Sequence, residues 1–211
     1  MSKNITSQTL QRLPVYLNYL MSLSGKHKTG NISATAIADA LGLNDVQVRK
    51  DLATVSRGGR PRTGYVTAEL INDIGHFLGF ENHDGVIVAG VGNFGRAMMG
   101  SDSFSAYGFD VLCGFDCNEN LTGTYINGKP VYHISEMKNF CTNKNIEIGI
   151  ITVPEKSAQE VCDIMAESGI KYILNFASVH LKVPKGITIH NENISITLAM
   201  LARCNFHENN S

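Results

Sequence analysis

Residues 86–95 read V-I-V-A-G-V-G-N-F-G, and this stretch limits what the chain can become more than any other. Four apolar residues in a row suit a strand buried on both faces. The glycines that follow, Gly90, Gly92 and Gly95, have the spacing of a strand-to-helix turn. The first allows the tight turn. The second lets another group approach the backbone, and the third lets the helix pack closely on the strand. A glycine triplet alone is a weak signal. Its place between an apolar strand and a helix gives it meaning.

The pattern downstream agrees. Short apolar strands are expected at Val86–Ala89, Phe109–Phe115, Val131–Ile134, Ile146–Val153, Ile170–Phe176 and Ile187–His190. Helices are expected at Ser135–Cys141 and Ser157–Ser168. Strands alternating with helices imply an α/β fold, a Rossmann-type parallel sheet covered on both faces. A helix opening on a glycine turn presents N–H groups and a partial positive charge, a seat for a pyrophosphate. Asp116 ends the second strand 21 residues beyond Gly95. An acid at that distance accepts hydrogen bonds from an adenosine ribose and would repel a 2′-phosphate, which selects NADH/NAD+ over the phosphorylated cofactor. The expected cofactor contacts are Gly90, Val91, Gly92, Asn93, Phe94, Gly95 and Asp116, with Val153 at the end of its strand.

The first third of the chain has different chemistry. Residues 1–66 carry nine Lys/Arg against three Asp/Glu, and residues 67–211 carry nine against sixteen. A basic module followed by an acidic one points to a polyanionic partner for the first. Leu10, Leu13, Leu17, Leu20 and Met21 form a helical stripe, with Pro14 marking a start or a bend. Gly25 stops it before a basic loop of Lys26, His27 and Lys28. Ser33 caps a helix Ala34–Leu41, Gly42 breaks it, and Asn44 caps a third helix from Asp45 to about Val55. Helix, glycine turn and helix make a helix-turn-helix. Val46 and Leu52 are expected in the core, leaving Gln47, Arg49 and Lys50 to meet base edges and phosphates. The stretch Arg57–Tyr65 reads as a β-hairpin wing, with Arg57, Arg60 and Arg62 as further DNA contacts. A helix Thr67–Leu78 then leads to a boundary near Gly79–Gly85. The expected organisation is a winged helix-turn-helix domain at 1–80, a Rossmann domain at 81–192 and a C-terminal helix and tail at 193–211. That last helix carries Ile194, Leu198, Leu201 and Ala202 on one side.

Composition excludes several classes. With 43% hydrophobic and 18% charged residues, the chain can build packed cores and is not disordered. No apolar run is long enough to span a membrane and no secretory leader is evident, so a cytoplasmic protein is expected. The cysteines Cys113, Cys117, Cys141, Cys162 and Cys204 lack the paired spacing of a zinc set and read as free thiols. A dehydrogenase needs an acid–base group beside the nicotinamide. His133, His180, Tyr125 and Tyr172 are candidates, yet none belongs to a recognisable pair, and little chain remains for a substrate domain. That favours sensing over catalysis. An NAD-dependent oxidoreductase and a CoA-type binding module stay open as alternatives.

The order of several motifs resembles the Rex family of redox-sensing transcriptional repressors over nearly the whole chain. These are R-L-P-V-Y at 12–16, Q-V-R-K-D-L at 47–52, G-Y at 64–65, the glycine motif at 90–95, F-D at 115–116, N-F-A at 175–177 and L-K-V-P at 181–184. The resemblance implies a homodimer that holds a palindromic, A·T-rich double-stranded operator and releases it when NADH binds, with the C-terminal helix exchanged between subunits. It further implies a contact network around the oxidised or reduced ring, built by the residues matching Arg12, Ser101 and Asn193. This chain departs there, with Ser101 in place of a usual Tyr and Asn193 in place of a usual Asp. Its wing is also more basic than usual. The departures raise an alternative: a Rex-like repressor with altered redox discrimination or another nucleotide effector.

Overall fold

The computed structural model describes residues 5–23, 30–80 and 84–208, with side chains described to Arg203. The chain divides into two compact units, Met1–Asn82 and His83–Ser211. The basic loop expected at Gly25, Lys26, His27 and Lys28 lies outside the described residues.

The first unit consists of helices around one apolar core. Helix α1 spans Ser7–Ser22, with Thr6 as its N-cap accepting the Thr9 N–H at 3.2 Å. It runs through Pro14, whose ring nitrogen cannot donate to the helix ladder. Strand β1 is Asn31–Ile32. Helix α2, Ala34–Leu41, begins on the Ser33 cap and ends at Gly42 in the left-handed conformation. Helix α3, Asp45–Val55, begins on the Asn44 cap. Strand β2, Tyr65–Val66, pairs antiparallel with β1, and helix α4 follows at Thr67–Leu78. Leu13, Tyr16, Leu17 and Leu20 of α1 meet Ile37, Val48, Leu52, Leu70 and Ile74 in the core.

Two expectations change here. Val46 is 69% exposed, and Val48 takes the buried place instead. Val48 and Leu52 lie four residues apart and share a helix face, whereas Val46 and Leu52 do not. The expected hairpin wing is reduced to one bridge. Arg60 and Gly64 exchange both backbone hydrogen bonds at 2.9 Å, and β2 pairs with β1 rather than with the wing. Three residues, Pro61, Arg62 and Thr63, form the tip, with Arg62 at φ 68°.

The second unit is a sheet of seven strands. They are β3 Asp84–Ala89, β4 Phe109–Asp116, β5 Tyr125–Ile126, β6 Lys129–His133, β7 Ile148–Ile151, β8 Tyr172–Asn175 and β9 Thr188–Asn191. Their order is β5-β6-β4-β3-β7-β8-β9. All pairs are parallel except β5 with β6, an edge hairpin turning on Asn127 and Gly128. That Asn-Gly dipeptide is a hairpin signal the sequence reading passed over. Without β5 the order is that of a dinucleotide-binding sheet, and its direction reverses between β3 and β7. Helices α5 Asn93–Met99, α6 Met137–Lys144 and α7 Glu155–Glu167 make crossovers. Separate apolar clusters fill the two faces. The strand expected at Ile146–Val153 is shorter at both ends, so Val153 lies in the loop above it.

Helix α8 spans Ile194–Glu208. Among the described residues its large apolar side chains are exposed, and the expected stripe is joined by a second apolar face. Ile194, Leu198 and Leu201 share one face, while Ile196 and Met200 occupy the opposite one.

Gly64 joins the wing to the core. Its φ is +75°, and a Cβ there would sit 2.3 Å from the Ile32 carbonyl oxygen. Gly64→Ala should therefore destabilise the first unit by about 2 kcal/mol or more. A lowered urea midpoint would report it. An unchanged midpoint would show that the wing is not tied to β1 in this way.

Candidate functional site

The sheet reversal places a cavity of about 560 Å³ at the carboxyl ends of β3, β4 and β7. This volume is ordinary for a ligand pocket, for which about 300–1,000 Å³ is typical. Gly90, Gly92, Asn93 and Phe94 form one wall, and Asp116, Cys117 and Ile134 another. Thr152, Val153 and Pro154 make a third, continued by Ser157, Glu160 and Ile164 along α7.

Close backbone contacts fix the turn. Gly90 has φ +95°, and a Cβ there would meet Val153 at 2.7 Å. A Cβ on Gly95 would lie 1.9 Å from the Gly90 carbonyl oxygen, so only glycine allows α5 to start where it does. Thr152 braces the turn from β7, its Oγ1 lying 2.6 Å from the Gly90 oxygen and 3.0 Å from the Ala89 oxygen. Gly92 differs. A Cβ there would meet nothing within 4 Å and would project into the cavity space that a pyrophosphate needs.

Asp116 holds the turn from the other side. Its Oδ2 accepts the Val91 N–H at 2.7 Å and its Oδ1 accepts the Asn118 N–H at 2.9 Å. An ionised carboxylate has about four acceptor positions, so two remain for a ribose. The residues present thus fit a dinucleotide. Among the residues expected from sequence, Gly90, Gly92, Asn93, Phe94, Asp116 and Val153 line the cavity. Val91 and Gly95 do not. Both are buried behind it, Val91 with its side chain in the core, where they shape the wall from within.

A smaller cavity of about 210 Å³ shares Phe94 and Thr152 with the first and extends toward β8 and β9. Phe176, Ser178, Glu192, Asn193 and Ile194 complete much of its lining. The rings of Phe94 and Phe176 meet edge to face, with centroids 4.8 Å apart. Asn193 caps α8, its Oδ1 accepting the Ile196 N–H at 3.0 Å. Ser101 lines neither cavity. It lies beyond the C-terminal end of α5, its hydroxyl 2.6 Å from that of Ser103. The sequence reading missed Thr152, Phe176 and Glu192. The 157, 160, 161, 164 spacing on α7 was a signal for the α7 wall of the larger cavity, but Phe176 and Glu192 of the smaller one carry none.

In the first unit, a groove of about 510 Å³ lies between α3, the start of α2 and the wing. Arg49, Arg60 and Arg62 line it together with Ser33, Thr35 and Tyr65, a lining suited to phosphate oxygens. Arg49 is held four residues back by Asp45 at 2.7 Å, and Thr35 donates to the same carboxylate at 3.0 Å. Lys50 and Arg57 are exposed.

Behind this surface sits Asp51, 1% exposed. Its Oδ2 accepts from Arg12 Nε at 2.7 Å and from the Tyr16 hydroxyl at 2.9 Å. Its Oδ1 accepts from Arg12 Nη2 at 3.1 Å, Thr9 at 3.1 Å and Gln47 Nε2 at 2.8 Å. Burial alone would raise the Asp51 carboxyl. The hydrogen bonds from Arg12, Tyr16, Gln47 and Thr9 outweigh it and leave the pKa below the ordinary value. The same pair raises the Arg12 guanidinium, while burial and Asp51 push the Tyr16 hydroxyl up to about 12. Arg12 is thus engaged inside its own unit. Gln47, expected on the outer face, is half-buried, with one amide hydrogen committed to Asp51.

Cys113, Cys141 and Cys162 are buried, and Cys117 is exposed at the mouth of the larger cavity. Burial pushes the Cys113 thiol up to about 12 and that of Cys141 to about 11, so neither forms a thiolate readily near neutral pH. Among the described residues, no helix is long and apolar enough to cross a membrane, and no cluster of side chains could hold a metal ion.

Residues 4–53 match a family model of a DNA-binding protein N-terminus, and residues 81–179 match that of a CoA binding domain. The redox-sensing transcriptional repressor Rex of Porphyromonas gingivalis is 38% identical over 199 residues, 93% of this chain and 90% of that protein. The protein of the same name from Bacteroides fragilis is 35% identical over 208 residues, 98% of this chain and 94% of that one. The crystal structure of RSP in complex with β-NAD+ and operator DNA superposes with a TM-score of 0.87 at 33% identity, covering 98% of this chain and 95% of that chain. RSP in complex with β-NADH gives 0.83 at 31%, covering 98% and 97%.

The Asp51 network predicts an acid-sensitive fold. A carboxyl with a lowered folded-state pKa stabilises the fold above its unfolded value and ceases to do so as pH falls through the folded one. Asp51→Asn should cost about 1–3 kcal/mol at pH 7. Urea titrations of both proteins should converge as the pH drops below about 4. Equal stability at pH 7 would remove Asp51 from its central role.

Proposed function

The chain belongs to the Rex family of redox-sensing transcriptional repressors, and on that premise we propose that it represses transcription by holding operator DNA and releasing it when NADH binds. It is a DNA-binding repressor and not an enzyme. The observation that carries the nucleotide half is the glycine turn at the sheet reversal, tied to Asp116 and open at Gly92.

The division of labour runs 1–80 for DNA, 81–192 for the cofactor and 193–211 for dimerisation. Arg49, Arg60 and Arg62 line a groove of the right chemistry for phosphates; on the same helix the exposed Lys50, and the part of the Gln47 amide not bonded to Asp51, are assigned to base edges. Arg57 extends the basic surface. NADH and NAD+ would lie across the β3–β7 reversal, adenosine ribose at Asp116 and pyrophosphate at Gly92. The nucleotide supplies the signal by arriving oxidised or reduced. The residues of this chain bind and orient it. The likeness of residues 81–179 to a CoA binding domain reflects the same cradle. CoA carries a ribose 3′-phosphate that the Asp116 carboxylate would repel, so a nicotinamide dinucleotide suits the site better.

The exposed apolar residues of α8 support a homodimer in which a partner subunit covers this helix. Two winged units in a dimer must match half-sites roughly 34–36 Å apart, or a multiple of that, on a palindromic, A·T-rich operator. A ligand that prefers one arrangement of the dimer shifts operator affinity by its differential affinity alone, commonly about 5–150-fold. Arg12, Ser101 and Asn193 are proposed as the switch positions. Asn193 keeps the capping role that an Asp would also fill. The working location is the cytoplasm, where both operator DNA and the nucleotide pool are found.

Fluorescence anisotropy on a labelled palindrome tests this reading. NADH should release the DNA, while NAD+ and CoA should not. Binding indifferent to NADH would keep the repressor and require another effector. Arg49→Ala should weaken specific DNA binding at least tenfold, about 1.4 kcal/mol, and spare nucleotide binding. Asp116→Ala should do the reverse and reduce the preference for NADH over NADPH. Either variant behaving like the other would sink the assignment.

A further inference from the structure

The smaller cavity holds a charge that the proposed function leaves without a role. If the adenosine end lies at Asp116, the nicotinamide end must lie on the other side of the reversal, toward β8 and β9. That is where the cavity of about 210 Å³ opens. Phe94 and Phe176 supply an apolar surface for a planar ring, and Ser178 a hydroxyl. Among the described residues lining it, Glu192 is the one with a charged side chain.

Glu192 is held where it is by backbone. Its N–H donates to the Asn175 carbonyl at 2.8 Å. The Asn175 amide, itself fully buried, donates to Asn191 Oδ1 at 2.9 Å and to the Ala177 and Val179 carbonyls at 3.1 Å. The strand end and the loop that frame the cavity are therefore locked together. Asn193, the next residue, is neutral and turns its oxygen into the first turn of α8. The carboxylate of Glu192, its side chain 44% exposed, is the charged group in the lining, and its Oε1 lies 2.9 Å from Nε2 of the exposed His190 outside it.

We propose that Glu192 sets the preference between the two redox forms of the cofactor by favouring the oxidised ring. This rests on the nucleotide reading above. The oxidised nicotinamide ring carries a positive charge and the reduced ring carries none. A carboxylate beside the ring attracts one form and is indifferent to the other, so it acts on the ratio of affinities rather than on binding as a whole. The consequence is a repressor whose release needs a higher NADH to NAD+ ratio than the cradle alone would set.

The test is binding of NADH, NAD+ and ADP-ribose to the full-length protein and to Glu192→Gln, at one pH. NADH is followed by its own fluorescence and the others by competition. NAD+ affinity should fall about tenfold in the variant, NADH affinity should change less than twofold, and ADP-ribose, which lacks the ring, should be unaffected. Glu192→Lys should weaken NAD+ further. Equal losses for all three ligands would mean a structural role, and an unchanged NADH to NAD+ ratio would mean no role; both overturn the proposal. Wild-type protein that binds none of the ligands would overturn the nucleotide reading itself.

Discussion

The second unit depends on one contact between backbones. Helix α5 begins so close to the end of β3 that a single added carbon on Gly95 would overlap the Gly90 carbonyl. From that contact the rest follows. The turn stands upright, Thr152 reaches it from β7, and Asp116 reaches it from β4. Two strands on opposite sides of the reversal thus clamp one turn, and the cavity opens above the clamp. The cavity is the place where the sheet's own topology has left a gap, and the glycines keep side chains from filling it.

The first unit solves a different problem in a similar way. Helix α3 carries Arg49 and Lys50 against Asp45 and Asp51, and of its apolar side chains Val48 and Leu52 are the fully buried ones. Asp51 supplies the missing anchorage. Five hydrogen bonds converge on it, joining three residues of α1 to Gln47 on α3. A buried carboxylate without partners would be costly, and here each oxygen has at least two. The arrangement links Arg12 to Gln47 through the shared Oδ1, so a displacement of Arg12 would be felt at the Gln47 side chain of α3.

Features that were legible in the sequence repeat or exclude. The glycine spacing, the alternation of strands and helices, the Ser33 and Asn44 caps and the charge split all belong to that kind, because each reflects local backbone geometry or long-range charge. What was not legible depends on partners far apart in sequence. Asp51 was visible as part of a motif, but nothing local says that Thr9, Arg12 and Tyr16 would converge on it. Val46 and Val48 look alike until the core's direction is known. The wing is a hairpin as expected, but its extent was not legible, because the pairing of Tyr65 with Ile32 of β1 is a contact across distant sequence. Glu192 has no motif at all; its place in the cavity is created by β9 and by the buried amide of Asn175.

Helix α8 begins at the smaller cavity and carries apolar side chains on two faces. A helix with one apolar face can satisfy it against a single surface, whereas Ile194, Leu198 and Leu201 lie opposite Ile196 and Met200. Covering both faces requires two surfaces, and burying each such side chain is worth about 1.5–3 kcal/mol. A subunit interface can supply that. The helix starts at Asn193, which caps it and lines the smaller cavity, directly after Glu192. The lining of the cavity therefore runs straight into the first turn of α8. A change of one charge on a bound ring is a small local event. In the homodimer proposed above it would reach the subunit arrangement because the cavity lining at Glu192 and Asn193 and the exposed apolar residues of α8 are neighbours on one short stretch of chain.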